Sequence, residues 1–150
     1  MVKRNRSAVS AEAYGEFNKK TAFVPQVIDK SEETKTRILI LLRNSVLFKS
    51  LDEKNTKIVI DAMEETTYEG GEQIIKEGEG GDLLYMVEEG EFDCFKNIKG
   101  EETLIKTYTT GEAFGELALL YNAPRAASIK AKTAGKLFAL DRNTFSAIMK

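Results

Sequence analysis

Histidine and tryptophan are both absent from this sequence, and cysteine occurs once, as Cys94. Without histidine the chain lacks the commonest general base and a common metal ligand. A single cysteine forbids an internal disulfide and fits a reducing compartment. In an alternating strand pattern a lone cysteine reads as a small core residue rather than a reactive thiol. Proline appears only at positions 25 and 124. No apolar run approaches the length of a membrane span, and the polar, basic first residues do not resemble a signal peptide. The expectation is a soluble, cytoplasmic protein. A basic surplus is also missing: 22 basic residues stand against 24 acidic ones, for a formal net charge of −2. That argues against a nucleic-acid partner.

What is present suits one compact domain. The 150 residues are 42% hydrophobic and 31% charged, enough for a single core under a well-solvated surface. Residues 1–30 read as a linker. They carry a basic cluster at Lys3, Arg4 and Arg6, and Pro25 interrupts any long helix. Residues 31–150 read as the domain. Ser31 is placed to cap a helix with Glu32 and Glu33 in its first turn, where the dipole favours acids. That helix has Ile38, Leu41 and Leu42 on one face and ends near Asn44. Asp52 is placed to cap a second, whose Ile58, Val59, Ala62 and Met63 recur at helical spacing.

From Glu64 the texture changes to short apolar runs between glycine turns. The runs are 73–76, 83–88, 92–96, 103–108, 126–131 and 137–140. This spacing predicts an antiparallel sandwich or barrel. One segment, Phe114 to Tyr121, reads instead as a short helix inserted between strands, ended by Asn122-Ala123-Pro124. A last helix starts at Asp141 with Phe145, Ile148 and Met149 on one face. The class is α+β: an antiparallel β-barrel flanked by N-terminal helices and a C-terminal helix.

The inserted helix carries the candidate chemistry. A helix start offers free backbone N–H groups and a positive dipole end, which suit phosphate. Gly115 permits close backbone approach. Arg125 follows, and a guanidinium forks onto two phosphate oxygens while staying charged. Ala126, Ala127 and Ser128 leave room beside it. Glu116 repels phosphate, so an alternative task, accepting a hydrogen bond from a ribose hydroxyl, suits it better. Generic physics also allows a plainer reading, with Glu116 as a first-turn acid and Arg125 as its ion-pair partner. No nucleophile and no metal cage accompany these residues, so the pattern suits binding rather than reaction.

The stretch FGELALLYNAPRAASIKAKT, Phe114 to Thr133, closely resembles the phosphate-binding cassette of cyclic-nucleotide-binding domains. The glycine turns upstream and the leading helices are also similar, so the resemblance covers roughly residues 31–150. It implies a jelly roll with an inserted phosphate-binding helix. It implies that Glu116 accepts the ribose 2′-hydroxyl and that Arg125 pairs with the cyclic phosphate. Gly115, Leu117, Ala118, Ala126 and Ala127 belong to the same cradle, with the amides of Ala118 and Ala126 on the ligand. Alanine after the arginine, here Ala126, implies cAMP rather than cGMP as ligand, with no further cofactor.

Within that family the chain most resembles the first cyclic-nucleotide-binding domain of the regulatory subunits of cAMP-dependent protein kinase. Arg6-Ser7-Ala8-Val9-Ser10-Ala11-Glu12 is similar to their inhibitor segment, with Ala8 at the phosphoacceptor place. The implied partners are cAMP and the kinase's catalytic subunit, and the implied role is that of a non-enzymatic inhibitor released by cAMP. Asn5 stands where the pattern has an arginine, with Arg4 and Lys3 one step further out. In a rival register Arg4 lies three residues before Ser7, which makes Ser7 a phosphorylation site. An alternative is a cyclic-nucleotide- or nucleoside-sensing domain of another signalling protein, such as the cytosolic domain of a gated channel. The family's dimerisation helices, second nucleotide domain and closing helix have no counterpart here, so the sequence reads as part of a longer chain.

Overall fold

The computed structural model describes residues 24–149; the inhibitor-like segment at Arg4, Arg6, Ser7, Ala8 and Val9 lies outside them. Two helices come first, α1 (Glu32–Arg43) and α2 (Glu53–Ala62). Their starts are where the capping residues put them. The Ser31 hydroxyl accepts from the Thr34 amide at 3.1 Å, and the Asp52 carboxylate accepts from the Asn55 amide at 2.8 Å. Each side chain satisfies one of the amides that a helix start leaves without a partner. Asp52→Ala is expected to cost about 1 kcal/mol, read as a lower urea midpoint at unchanged slope.

Eight strands follow: β1 (Glu64–Tyr68), β2 (Gln73–Ile75), β3 (Leu83–Glu89), β4 (Phe92–Ile98), β5 (Glu101–Tyr108), β6 (Ala113–Phe114), β7 (Ser128–Ala131) and β8 (Gly135–Asp141). A short helix, α3 (Glu116–Tyr121), separates β6 from β7, and α4 (Arg142–Ile148) ends the order. The strands form two antiparallel four-stranded sheets, ordered β1-β8-β3-β6 and β2-β7-β4-β5. This is the antiparallel, helix-flanked jelly roll of the expected α+β class, in its sandwich form. The jelly roll is a double-sheet sandwich, and among the described residues hydrogen bonding does not close it into a continuous barrel.

Strand alternation builds two cores. Along β3, Tyr85 and Val87 point between the sheets with Phe92, Phe114, Ile129 and Leu137. Leu84 and Met86 point the other way, against Ile38, Leu42, Phe48, Val59 and Phe145 of the helices. The period-two alternation of strand side chains is what lets one strand serve both layers. Arg37 fastens α1 to the first sheet through Glu88 at 2.8 Å and Glu65 at 3.0 Å.

Three boundaries differ from the sequence reading. Phe114 belongs to β6 rather than to the inserted helix, because it pairs with Tyr85 of β3. β7 begins at Ser128, so Arg125 to Ala127 are a connection and not strand. β1 is a polar run outside the apolar runs of the sequence, and it is a strand through its pairing with β8.

Candidate functional site

The site is organised around Arg125. The residue is only 7% exposed, and its guanidinium is held from both sides by main chain. Nη1 donates to the carbonyl of Gly115 at 2.9 Å and Nη2 to the carbonyl of Leu83 at 2.6 Å. The backbone of the same residue is also pinned, since its amide donates to Glu79 and its carbonyl accepts from Gly78, each at 2.8 Å. Among the described residues no carboxylate lies within ion-pairing distance of Arg125, Glu116 included. Burial pulls the guanidinium below the ordinary arginine range; Tyr85 and Asp82 oppose that and Arg142 adds to it. An arginine remains charged through such a shift. A buried cation with carbonyl partners and no carboxylate partner keeps its charge available to an anion.

Two glycines make room for this side chain. A Cβ on Gly81 would fall within 3 Å of three guanidinium atoms. Gly115 has φ +90°, the left-handed region, and a Cβ there would come 2.9 Å from Nη1. Gly115 is also the N-cap of α3. Each other helix is capped by a Ser31, Asp52 or Asp141 side chain, whereas α3 has no side-chain cap. The amides at its start are therefore left open by the protein's own side chains.

The remaining predicted residues sit around this start. Glu116 opens α3 and is half-buried, Ala118 is buried, and Leu117 is 57% exposed. Ala126 is exposed and Ala127 half-buried. A cavity of about 180 Å³ lies against Arg125 on the side of Ile75, Gly81, Leu83 and Tyr85. Glu116, Ala118 and Ala126 do not line it. A larger groove of about 720 Å³ runs between α1 and α2, remote from these residues.

Three contributors were not read from the sequence. Leu83 supplies a carbonyl, which has no side-chain signature. Gly81 supplies clearance, and the Gly80-Gly81-Asp82 turn was its only signal. Arg142 ties the surroundings together: it donates to the carbonyls of Leu119 and Gly81, both at 3.0 Å, and lies 3.5 Å from the Asp82 carboxylate. It thus links the turn before β3, the end of α3 and the start of α4. Among the described residues no cluster of three or more potential metal ligands occurs, and no helix is long and apolar enough to cross a membrane.

Comparison with known proteins adds to this geometry. The cyclic nucleotide-binding domain family matches residues 65–150. A cAMP-dependent protein kinase regulatory subunit of Blastocladiella emersonii is 42% identical over 96% of this chain and 36% of its own length. The type II regulatory subunit of Drosophila melanogaster is 39% identical over 99% of this chain and 39% of its own. The chain therefore spans less than two fifths of these relatives. Among solved structures, the regulatory domain of Toxoplasma gondii protein kinase A with cAMP superposes with TM-score 0.78. It is 49% identical, with 80% of this chain and 46% of that one covered.

Proposed function

This chain belongs to the cyclic nucleotide-binding domain family, and from that premise we propose that it binds cAMP and, through it, regulates a protein kinase catalytic subunit. The observation that carries the reading is the buried Arg125 guanidinium, carbonyl-braced and without a carboxylate partner. Its anion is the cyclic phosphate. The uncapped start of α3 adds backbone amides to the same phosphate. Glu116, at that start, accepts from the ribose 2′-hydroxyl, a role taken from the family resemblance. With the alanine at position 126 the pocket lacks a hydroxyl for the guanine amino group. Ala126→Thr is expected to tighten cGMP relative to cAMP, read as the ratio of the two dissociation constants.

The role is non-enzymatic, which the relatives' names as regulatory subunits support, and its expected place is the cytoplasm. In the absence of cAMP, the segment from Arg4 to Val9 occupies the kinase's substrate cleft with Ala8 at the phosphoacceptor place, where there is no hydroxyl to phosphorylate. Binding of cAMP at Arg125 draws α3 onto the phosphate, and the helices packed on the first sheet follow. Coupling is reciprocal: kinase weakens cAMP by the factor by which cAMP weakens kinase. The test is peptide phosphorylation by a cAMP-dependent protein kinase catalytic subunit in the presence of this chain. Inhibition relieved by micromolar cAMP supports the reading. No inhibition at any chain concentration refutes the kinase part and favours another signalling protein, such as a gated channel's cytosolic domain.

A further inference from the structure

Tyr85 lies on β3 with its ring stacked on Phe114 at 5.5 Å between centroids. The residue is 8% exposed, yet its hydroxyl has no hydrogen-bond partner among the described residues. A buried phenol ordinarily finds one. Every fully sealed side-chain polar atom of the described residues does have a partner. The Tyr85 hydroxyl therefore keeps an open side, and Tyr85 lines the cavity of about 180 Å³ that Arg125 also lines. The two groups sense each other electrostatically: Arg125 acts on Tyr85 and Tyr85 on Arg125.

We infer that Tyr85 is a further ligand-binding residue, whose hydroxyl donates a hydrogen bond to an oxygen of the bound phosphate beside Arg125. The inference rests on the cyclic-nucleotide reading and assigns one more donor to that site. Burial pushes the phenol above its ordinary range, so at neutral pH it is a protonated donor and not a competing anion. Its position is fixed by packing. β3 pairs with β8 on one side, Tyr85 opposite Ala139, and with β6 on the other, Tyr85 opposite Phe114. The residue after Phe114 is Gly115, whose carbonyl holds Arg125. Leu83, two residues before Tyr85, supplies the other carbonyl. Strand β3 thus carries a brace for the guanidinium and, two residues on, a tyrosine that lines the same cavity.

Tyr85→Phe keeps the ring and its stacking and removes only the hydroxyl. The experiment is displacement of a fluorescent cAMP analogue from this chain, with cAMP and with adenosine as competitors, and a thermal melt of each protein. The expected result is cAMP affinity reduced roughly tenfold, the order of a hydrogen bond to a charged group. Adenosine affinity and the melting temperature without ligand should not fall. Equal cAMP affinity in wild type and Tyr85→Phe overturns the inference and leaves the cyclic-nucleotide reading standing. Equal loss of cAMP and adenosine also overturns it, since the hydroxyl then serves the nucleoside or the pocket's shape. Failure of the wild type to bind the analogue refutes the underlying reading instead.

Discussion

Arg125→Lys is expected to weaken cAMP binding at least tenfold while the fold persists. The guanidinium does two jobs at once. It satisfies the carbonyls of Gly115 and Leu83 at 2.9 and 2.6 Å, and it presents its charge to the cavity. An ammonium is a point donor on a flexible stem and lacks the fork that spans these directions. Losing one charge-assisted hydrogen bond costs roughly 1.5–3 kcal/mol, and tenfold in affinity corresponds to about 1.4 kcal/mol. A carbonyl left short of its donor adds a stability penalty of about 1–3 kcal/mol, so the melting temperature should drop modestly. Calorimetric titration with cAMP, paired with circular dichroism to show retained structure, reads both effects. Unchanged titration curves would remove Arg125 from the site.

A comparable loss is expected from a position that contributes no side chain to the site. In Gly81→Ala the new Cβ lands within 3 Å of the Nη2, Nε and Cζ atoms of Arg125. The backbone at Gly81 does not adopt a positive φ, so alanine is not strained there by conformation. What yields is the far end of a side chain, not main chain. The guanidinium is pushed from the Leu83 carbonyl and out of register with the cavity. Binding of cAMP should fall at least tenfold although Arg125 itself is intact, and the unfolding free energy should fall by about 1–3 kcal/mol, since the Leu83 carbonyl loses its donor here too. Wild-type affinity in Gly81→Ala would mean that the guanidinium can relocate and still engage the ligand, and the tight packing here would have no bearing on function.

The helices were legible because capping is local. Ser31, Asp52 and Asp141 each announce a start within three residues of the amide they satisfy. The strands between glycine turns were legible for a similar reason; Lys99 and Gly100, both at positive φ, close the β4–β5 hairpin. Pairings set by distant partners were not. β1 is polar, with the sequence EETTY, and is a strand because β8, some 70 residues later, pairs with it. β6 is two residues long and exists only against β3. The division into two sheets is likewise a matter of long-range order.

The candidate site divides the same way. Gly115, Glu116, Ala118 and Arg125 are contiguous enough to be read as one pattern. Of the two carbonyls that hold Arg125, Gly115 belongs to that pattern and the other, Leu83, lies 42 residues away in sequence. Tyr85 reads in sequence as an ordinary inward-facing strand aromatic. Only the sheet pairing shows it lining the same cavity as Arg125.

The measurement that bears most directly on the central claim is a thermal-shift titration of this chain with cAMP, cGMP and adenosine. A ligand that binds only the native state raises the melting temperature once its concentration passes its dissociation constant. The account predicts a shift with cAMP at far lower concentration than with cGMP or adenosine, because phosphate engages Arg125 and Ala126 offers nothing to guanine. An equal shift with adenosine, or none with cAMP, would contradict it.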